Sequence, residues 1–503
     1  MCVLICFSAC TDDDASNNAP PNVIGPQLLN LSFYQKKNPE KLVDDVIGQI
    51  IGDSVVDCWI PNLVFDKHLM VDIEGLGGVK INGDPYNEFV AYDFGKPAIV
   101  EIHATNRLKT YKVYVHSYTG LPVLWIDTDG RQEIVSKEEY LKAHLKLVEN
   151  AKTRGAGDIL ERDVNIKGRG NSTWRYEDLK KKPYRLKFDE KVSMLDEPKD
   201  KSWCLLANYA DKTMLRNHIG LFMGKISKLD YTPSDHFVEL FLNGRYNGTY
   251  QLTDKIKQAK NRVNVGDDGF LLEIDHIAWS ESDSRWFRTK HLQCPVNIKD
   301  PDVEYDDDNY NYIKSFVINA EEVLYSSQFT DPNEGWQKYF DIDSFVDWYI
   351  INEIAKNSDA RMRTSCFINL KRGGKLKMGP VWDFDVAFGN VYDEGKDTWN
   401  YENFWINDAE WFEQMFKDPL FVKKVKERFS YFYNQSNEIM NEINSTANYL
   451  RFAVQENNNK WNTFYNYTWI NNQIWGSYFN EVTSLKEWIL FRMEWLKVEF
   501  DKM

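Results

Sequence analysis

The sequence predicts an α+β chain in two parts: a small immunoglobulin-like β-sandwich over residues 28–118 and a larger, two-lobed domain over residues 119–503. Three observations carry this reading. Short stretches alternate apolar and polar residues between 28 and 118, the texture turns to mixed α and β beyond that, and helical periodicity rich in aromatics fills 410–503. The 503 residues, 43% hydrophobic and 27% charged, have ordinary globular composition and suffice for more than one domain. Lys+Arg 61 against Asp+Glu 76 gives a net charge of −15, and no long basic run offsets it. Such a surface repels phosphate backbones, which excludes nucleic acid as a general partner.

In order along the chain, MCVLICFSACTDDD opens with a short apolar stretch, then Ser8-Ala9-Cys10, then Asp12-Asp13-Asp14. Small residues before a cysteine resemble a lipoprotein signal, with Cys10 as the acylated residue. The acidic run resembles the export tag of surface lipoproteins in some Gram-negative bacteria. The expectation is a lipid-anchored protein of the outer membrane or cell surface, with residues 1–27 as signal remnant and disordered tether. The apolar stretch is short for a leader and lacks a basic start, so the start is expected upstream of Met1. No later segment has eighteen uninterrupted apolar residues, so the lipid is the only expected membrane contact.

The sandwich is read from LMVDIEG, NEFVAYDF, AIVEIHAT and TYKVYVHS, separated by Gly, Pro, Asn and Asp turns. Tyr111, Val113 and Val115 alternate with Lys112 and Tyr114, as a half-buried strand requires. No catalytic cluster falls here, so a spacer or binding role is expected. Of seven cysteines, three lie in the signal-like region; Cys58, Cys204, Cys294 and Cys366 lack C-x-x-C spacing and read as buried thiols or at most one disulfide.

In the second domain, residues 135–152 read as a helix with Ser136 as its cap and acids behind it. Strands VNIKGRG and PYRLKF, a helix over 212–226, a hairpin turning at Asn243-Gly244 and the strand GFLLEID follow. The apolar helix FVDWYIINEIA and a strand–turn–strand, CFINLKRGGKLKMGPVWDFD, lead into the helical tail, where Leu485, Trp488, Ile489, Phe491, Trp495 and Leu496 largely share one stripe. Glu273 and Asp275, one residue apart on a strand, read as sheet-edge or lobe-contact acids.

Two stretches carry chemistry. In KGRGNSTW, Gly168 and Gly170 permit close backbone approach, and Arg169, Asn171, Ser172 and Thr173 add donors, as a loop holding phosphate oxygens needs. In the strand behind it Arg185 and Lys187 share one face, where a cation grips phosphates; a polar hairpin with solvated lysines fits the same residues. In the second stretch, Asn357 and Asp359 follow the apolar helix, and Asp383 and Asp385 stand one residue apart in VWDFDVAF. In extended chain both acids share a face and can address one cation, while Trp382, Phe384, Val386 and Phe388 face a core. A turn with two solvated acids gives the same pattern. Mg²⁺ needs few carboxylates beside substrate oxygens and water.

GRGNSTW, KKPYRLKF, LLANYADKTMLRN (205–217), ELFLNGRYNGTYQLTDKI (239–256), NSDA and GKLKMGPVWDFDVAFGN together resemble, in order, the motifs of the spore coat protein H (CotH) kinase family across roughly residues 120–500. The resemblance implies a reduced, atypical kinase-like fold and transfer of phosphate from ATP, with Mg²⁺ or Mn²⁺, to serine of a protein acceptor. It implies Lys187 as the phosphate-gripping lysine, Asp359 as the catalytic-loop aspartate and Asp383 as the metal aspartate, assisted by Asp385. Where some members place an asparagine after the catalytic-loop aspartate, this chain has Thr364-Ser365. Two other readings stand beside the kinase. One is a non-catalytic surface lipoprotein that binds protein or glycan through its aromatics; the other is a nucleotide-sugar transferase, because D-x-D also holds a cation under a diphosphate.

Overall fold

The computed structural model describes residues 25–39, 41–42, 45–60, 66–117, 119–148, 159–391, 397–468 and 471–503. Cys10 and the Asp12–Asp14 run lie outside the described residues. The chain divides into two compact units, residues 1–118 and 119–503.

In the first unit Leu28–Phe33 pairs antiparallel with Val46–Ile47 and Asp72–Gly75. A six-stranded sheet contains Arg107–Ser117, flanked antiparallel by Ala98–Ala104 and parallel by Val55–Ile60. Inward residues of both sheets share one core: Leu31 and Phe33 from the first, Val56, Val100, Tyr111 and Val113 from the second. The alternation seen at Tyr111, Val113 and Val115 is what buries these three while Lys112 stays exposed.

The second unit is mixed α+β and begins with a closed seven-stranded barrel. Its strands in spatial order are Val123–Thr128, Leu141–Val148, Ile159–Gly168, Tyr184–Val192, Asp200–Leu206, Arg245–Asp254 and Asp235–Leu242, closed by parallel pairing of the first with the last. Ile166, Leu186, Trp203, Leu205 and Leu252 fill the interior. Where it is described, the segment expected as a helix over 135–152 is a turn followed by the strand Leu141–Val148. Ser136 Oγ does accept from the amides of Glu138 and Glu139, both at 3.0 Å, but these bonds close a turn. Beyond it Leu141, Ala143, Leu145 and Leu147 alternate with Lys142, His144 and Lys146, and that period-two pattern fits one buried barrel face. The Asn243-Gly244 turn is present with both residues at positive φ, 51° and 74°.

A five-stranded antiparallel sheet follows, ordered Arg285–Phe287, Val296–Asp300, Phe270–Ile274, Cys366–Leu370 and Leu376–Met378. Glu273 lies on the central strand and pairs with Lys299 at 3.1 Å, so it is not a sheet-edge acid. The helix Ile342–Ala355, capped by Asp341, is buried from Ser344 to Ala355. It is enclosed on nearly every side, and its buried charges are met: Asp347 by Arg428 at 2.7 Å, and Glu353 by Arg492 of the last helix, Tyr478–Lys502, at 2.6 Å. Along that last helix Leu485, Ile489 and Leu496 are buried, whereas Phe491 is exposed. Among the described residues Cys58, Cys204, Cys294 and Cys366 form no disulfide.

Candidate functional site

The buried helix ends at Lys356, whose left-handed φ of 44° turns the chain into the loop carrying Asn357 and Asp359. The strand–turn–strand that follows returns the chain beside this loop. Past Leu376–Met378 the segment expected to be extended is irregular: Asp383 sits at φ 67°, a conformation that costs a non-glycine residue on the order of 1–3 kcal/mol. Phe384 anchors it. A Cβ on Gly220 would stand 2.2 Å from the Phe384 ring, and the Phe384 amide donates to Asn217 Oδ1 at 2.8 Å. Phe384 and Phe388 reach the core, while Trp382 and Val386 are only half-buried.

The two acids converge although their backbone is not a strand. Burial pushes the Asp385 carboxyl well above the usual carboxylate range; the charges of Asp383 and Asp359 and a hydrogen bond with Asp383 push it further the same way. Asp359 and Asp383 are thus close enough for their charges to act on Asp385. Asn357 ties them together: its Nδ2 donates to the Asp383 carbonyl at 3.1 Å, and its Oδ1 accepts from the Asp359 amide at 3.2 Å. Ser365 Oγ donates to Asp383 Oδ2 at 3.0 Å, so the Thr364-Ser365 stretch bonds the predicted metal aspartate directly.

Among the described residues no group of three or more His, Cys, Asp or Glu is arranged to hold a metal ion. The donor chemistry nevertheless suits a hard cation. Asp383 and Asp385 need either a proton or a cation between them, and Mg²⁺ takes one or two carboxylates, filling its remaining positions with water and phosphate oxygens.

The glycine loop lies against this segment. Arg169 places its guanidinium 5.7 Å from the Trp382 ring centre, next to Asp383. Gly168 is packed under Trp174, where a Cβ would stand 2.3 Å from the ring, and Gly170 adopts φ 88°. Asn171 and Ser172 are exposed, Thr173 half-buried. Lys187 is exposed, its ammonium 6.0 Å from the Tyr140 ring centre, while Arg185, on the same strand face, is half-buried.

Sequence reasoning missed the support beneath the acids. From Phe384 a chain of buried amides runs through Asn217 and Asn208 to Gln251, which donates to Asp235 at 2.8 Å. His218 then bridges Asp235 and Glu442, at 2.7 and 2.8 Å. Asn217 and Gln251 fall within the quoted motifs, but single polar residues in helix and strand give no periodic signal.

No curated protein matches the chain. Among solved structures, a DUF4623 family protein from Bacteroides eggerthii DSM 20697 is 11% identical with a TM-score of 0.15, covering 32% of this chain; the chain spans about half of that protein, 46%. A likeness of that size carries no argument. The profile described as CotH kinase protein matches residues 166–496, from the glycine loop through the acid cluster into the last helix, and so more than half of the sequence. The chain belongs to the CotH kinase family.

Proposed function

We propose that residues 119–503 form an atypical protein kinase domain that transfers phosphate from ATP to serine of a protein acceptor. The observation that carries this is the convergence of Asp359, Asp383 and Asp385, with Asp385 driven toward its protonated form by its neighbours. Asp383 and Asp385 would hold Mg²⁺ or Mn²⁺. The cation would offset negative charge on the phosphates. Asp359 orients the acceptor hydroxyl and takes its proton; the loop Gly168–Thr173 with Arg185 and Lys187 contacts the phosphates. Asn357 and Ser365 fix the two aspartates in register, which limits the reorganisation needed when charge develops.

The domain would act outside the cytoplasm, tethered by lipid on Cys10, with residues 28–118 as a separate β-sandwich. The supporting features are Ser8-Ala9 before Cys10 and the acidic run after it. Labelling with a palmitate analogue tests the anchor: label lost in Cys10→Ala supports it, label retained contradicts it. The activity is tested by incubating purified protein with γ-labelled ATP, Mg²⁺ or Mn²⁺ and a mixed protein acceptor, followed by phosphoamino-acid analysis. Phosphoserine dependent on Asp383 is the expected product. A protein that binds no nucleotide with any divalent ion contradicts the reading.

A further inference from the structure

The outer face of the barrel carries hydrogen-bond donors that have no acceptors. Lys167, Arg185, Cys204 and Thr253 are directly opposite one another across four adjacent strands, so their side chains share one face. Lys255 follows two residues after Thr253 and lies in the field of Arg185, Cys204, Lys299 and Asp300. Tyr140 completes the cluster: the Lys167 ammonium lies 4.7 Å from its ring centre, and Arg185 acts on its hydroxyl.

Arg185 Nε and Tyr140 Oη are both buried without a hydrogen-bond partner. Among the described residues the Lys255 ammonium makes no ion pair, while the neighbouring Lys299 is engaged by Glu273 at 3.1 Å. Leaving one buried donor unmet costs ~1–3 kcal/mol. Here two buried unmet donors, Arg185 Nε and Tyr140 Oη, stand near the half-buried Lys255 ammonium, whose charge is opposed by Arg185 and only partly offset by Asp300. Burial and the Arg185 charge push the Lys255 ammonium down to about 8, which is the cost of that arrangement expressed on one group. The same face leads to the glycine loop, since Lys167 immediately precedes Gly168, and Arg169 lies over Trp382 beside Asp383. A ligand with several anionic oxygens in a row satisfies the donors at one end and approaches the acid pair at the other.

We infer that Arg185, Lys255 and Tyr140 form the anion site that binds the phosphate chain of a nucleoside triphosphate, with Lys167 at its edge. This rests on the kinase reading for the identity of the ligand, but not for the existence of an anion site. Lys255 and Tyr140 thereby enter the site beside the strand and loop residues named above.

The test uses the full chain with inorganic tripolyphosphate in a chelator, so that no divalent ion takes part, and ATP with Mg²⁺ in parallel. Binding is followed by calorimetry and by the rise in melting temperature. Arg185→Gln and Lys255→Met should each weaken tripolyphosphate binding about tenfold or more, as loss of a charge-assisted hydrogen bond does, and Tyr140→Phe by less. Lys96→Met, at an exposed lysine of the other unit, controls for net charge. Ligand-free Lys255→Met should melt no lower than wild type, because it removes a buried repulsion; a lower melting point would contradict the uncompensated charge. Unchanged affinities in all three variants, with wild type still binding Mg²⁺-ATP, would overturn the site and leave the kinase reading intact. Tripolyphosphate binding that depends on these residues, without nucleotide binding under any divalent ion, would support the site and overturn the kinase reading. No binding of either probe would overturn both.

Discussion

Asp383, held at φ 67°, brings its carboxyl so near that of Asp385, two residues on, that burial and then the Asp383 charge raise Asp385 well above the usual carboxylate range. The pair cannot carry two full negative charges at that approach without a cation, and one of the two keeps its proton above the ordinary carboxylate range.

Cation binding should therefore release a proton. Titrating Mg²⁺ or Mn²⁺ together with ATP in buffers of different ionisation enthalpy should show heats that scale with the buffer, and affinity that rises with pH. In Asp385→Asn the buffer dependence should vanish. Heats independent of buffer in wild type would contradict a shared proton.

Gly220 is required by Phe384. With a Cβ placed 2.2 Å from that ring, Gly220→Ala must displace the segment between the two acids, and overpacking of this kind costs about 1–3 kcal/mol. Thermal unfolding should show the loss. Metal-dependent nucleotide binding should fall more than in Gly373→Ala, a turn glycine with nothing near its Cβ position.

Asn217→Leu leaves the buried Phe384 amide without its acceptor, at a cost of ~1–3 kcal/mol. Chemical denaturation of the 119–503 unit should report it. Asn217→Asp, which retains an acceptor oxygen, should recover part of the stability.

Stability should also depend on His218. Burial opposes its charge, but Asp235 and then Glu442 outweigh that and raise the imidazole from 6.5 to about 9. Because the folded value is the higher one, the contribution is fully present below pH ~6.5 and is lost as pH rises through about 9. Denaturation midpoints should fall across that window and flatten in His218→Gln.

The sequence carries the motifs that build the site more clearly than the geometry that joins them. Period two in Tyr111–Val115 and the Asn243-Gly244 turn were legible because each is a local rule that tertiary packing obeys. Residues 135–152 misled because Ser136 makes cap-like bonds in a turn as well as in a helix, and the alternation Leu141 to Leu147 was the stronger signal. The acids were found by their spacing, though the reason offered for their convergence, a shared strand face, is not the one the fold uses. Lys255 closes the motif at 239–256 without any local sign of a charge role, and Tyr140 stands in no motif; the fold sets both near Arg185, Lys255 just past the strand Arg245–Asp254 and Tyr140 just ahead of Leu141–Val148.

The most direct test is calorimetry of ATP with Mg²⁺ on wild type, Asp383→Ala and Asp359→Asn, paired with phosphoryl transfer. Asp383→Ala should lose nucleotide binding and transfer together. Asp359→Asn should bind nucleotide as wild type does while transfer falls by ~10²–10³, the usual effect of removing one group that acts on developing charge. Wild-type affinity in Asp383→Ala, with any divalent ion, would contradict the account.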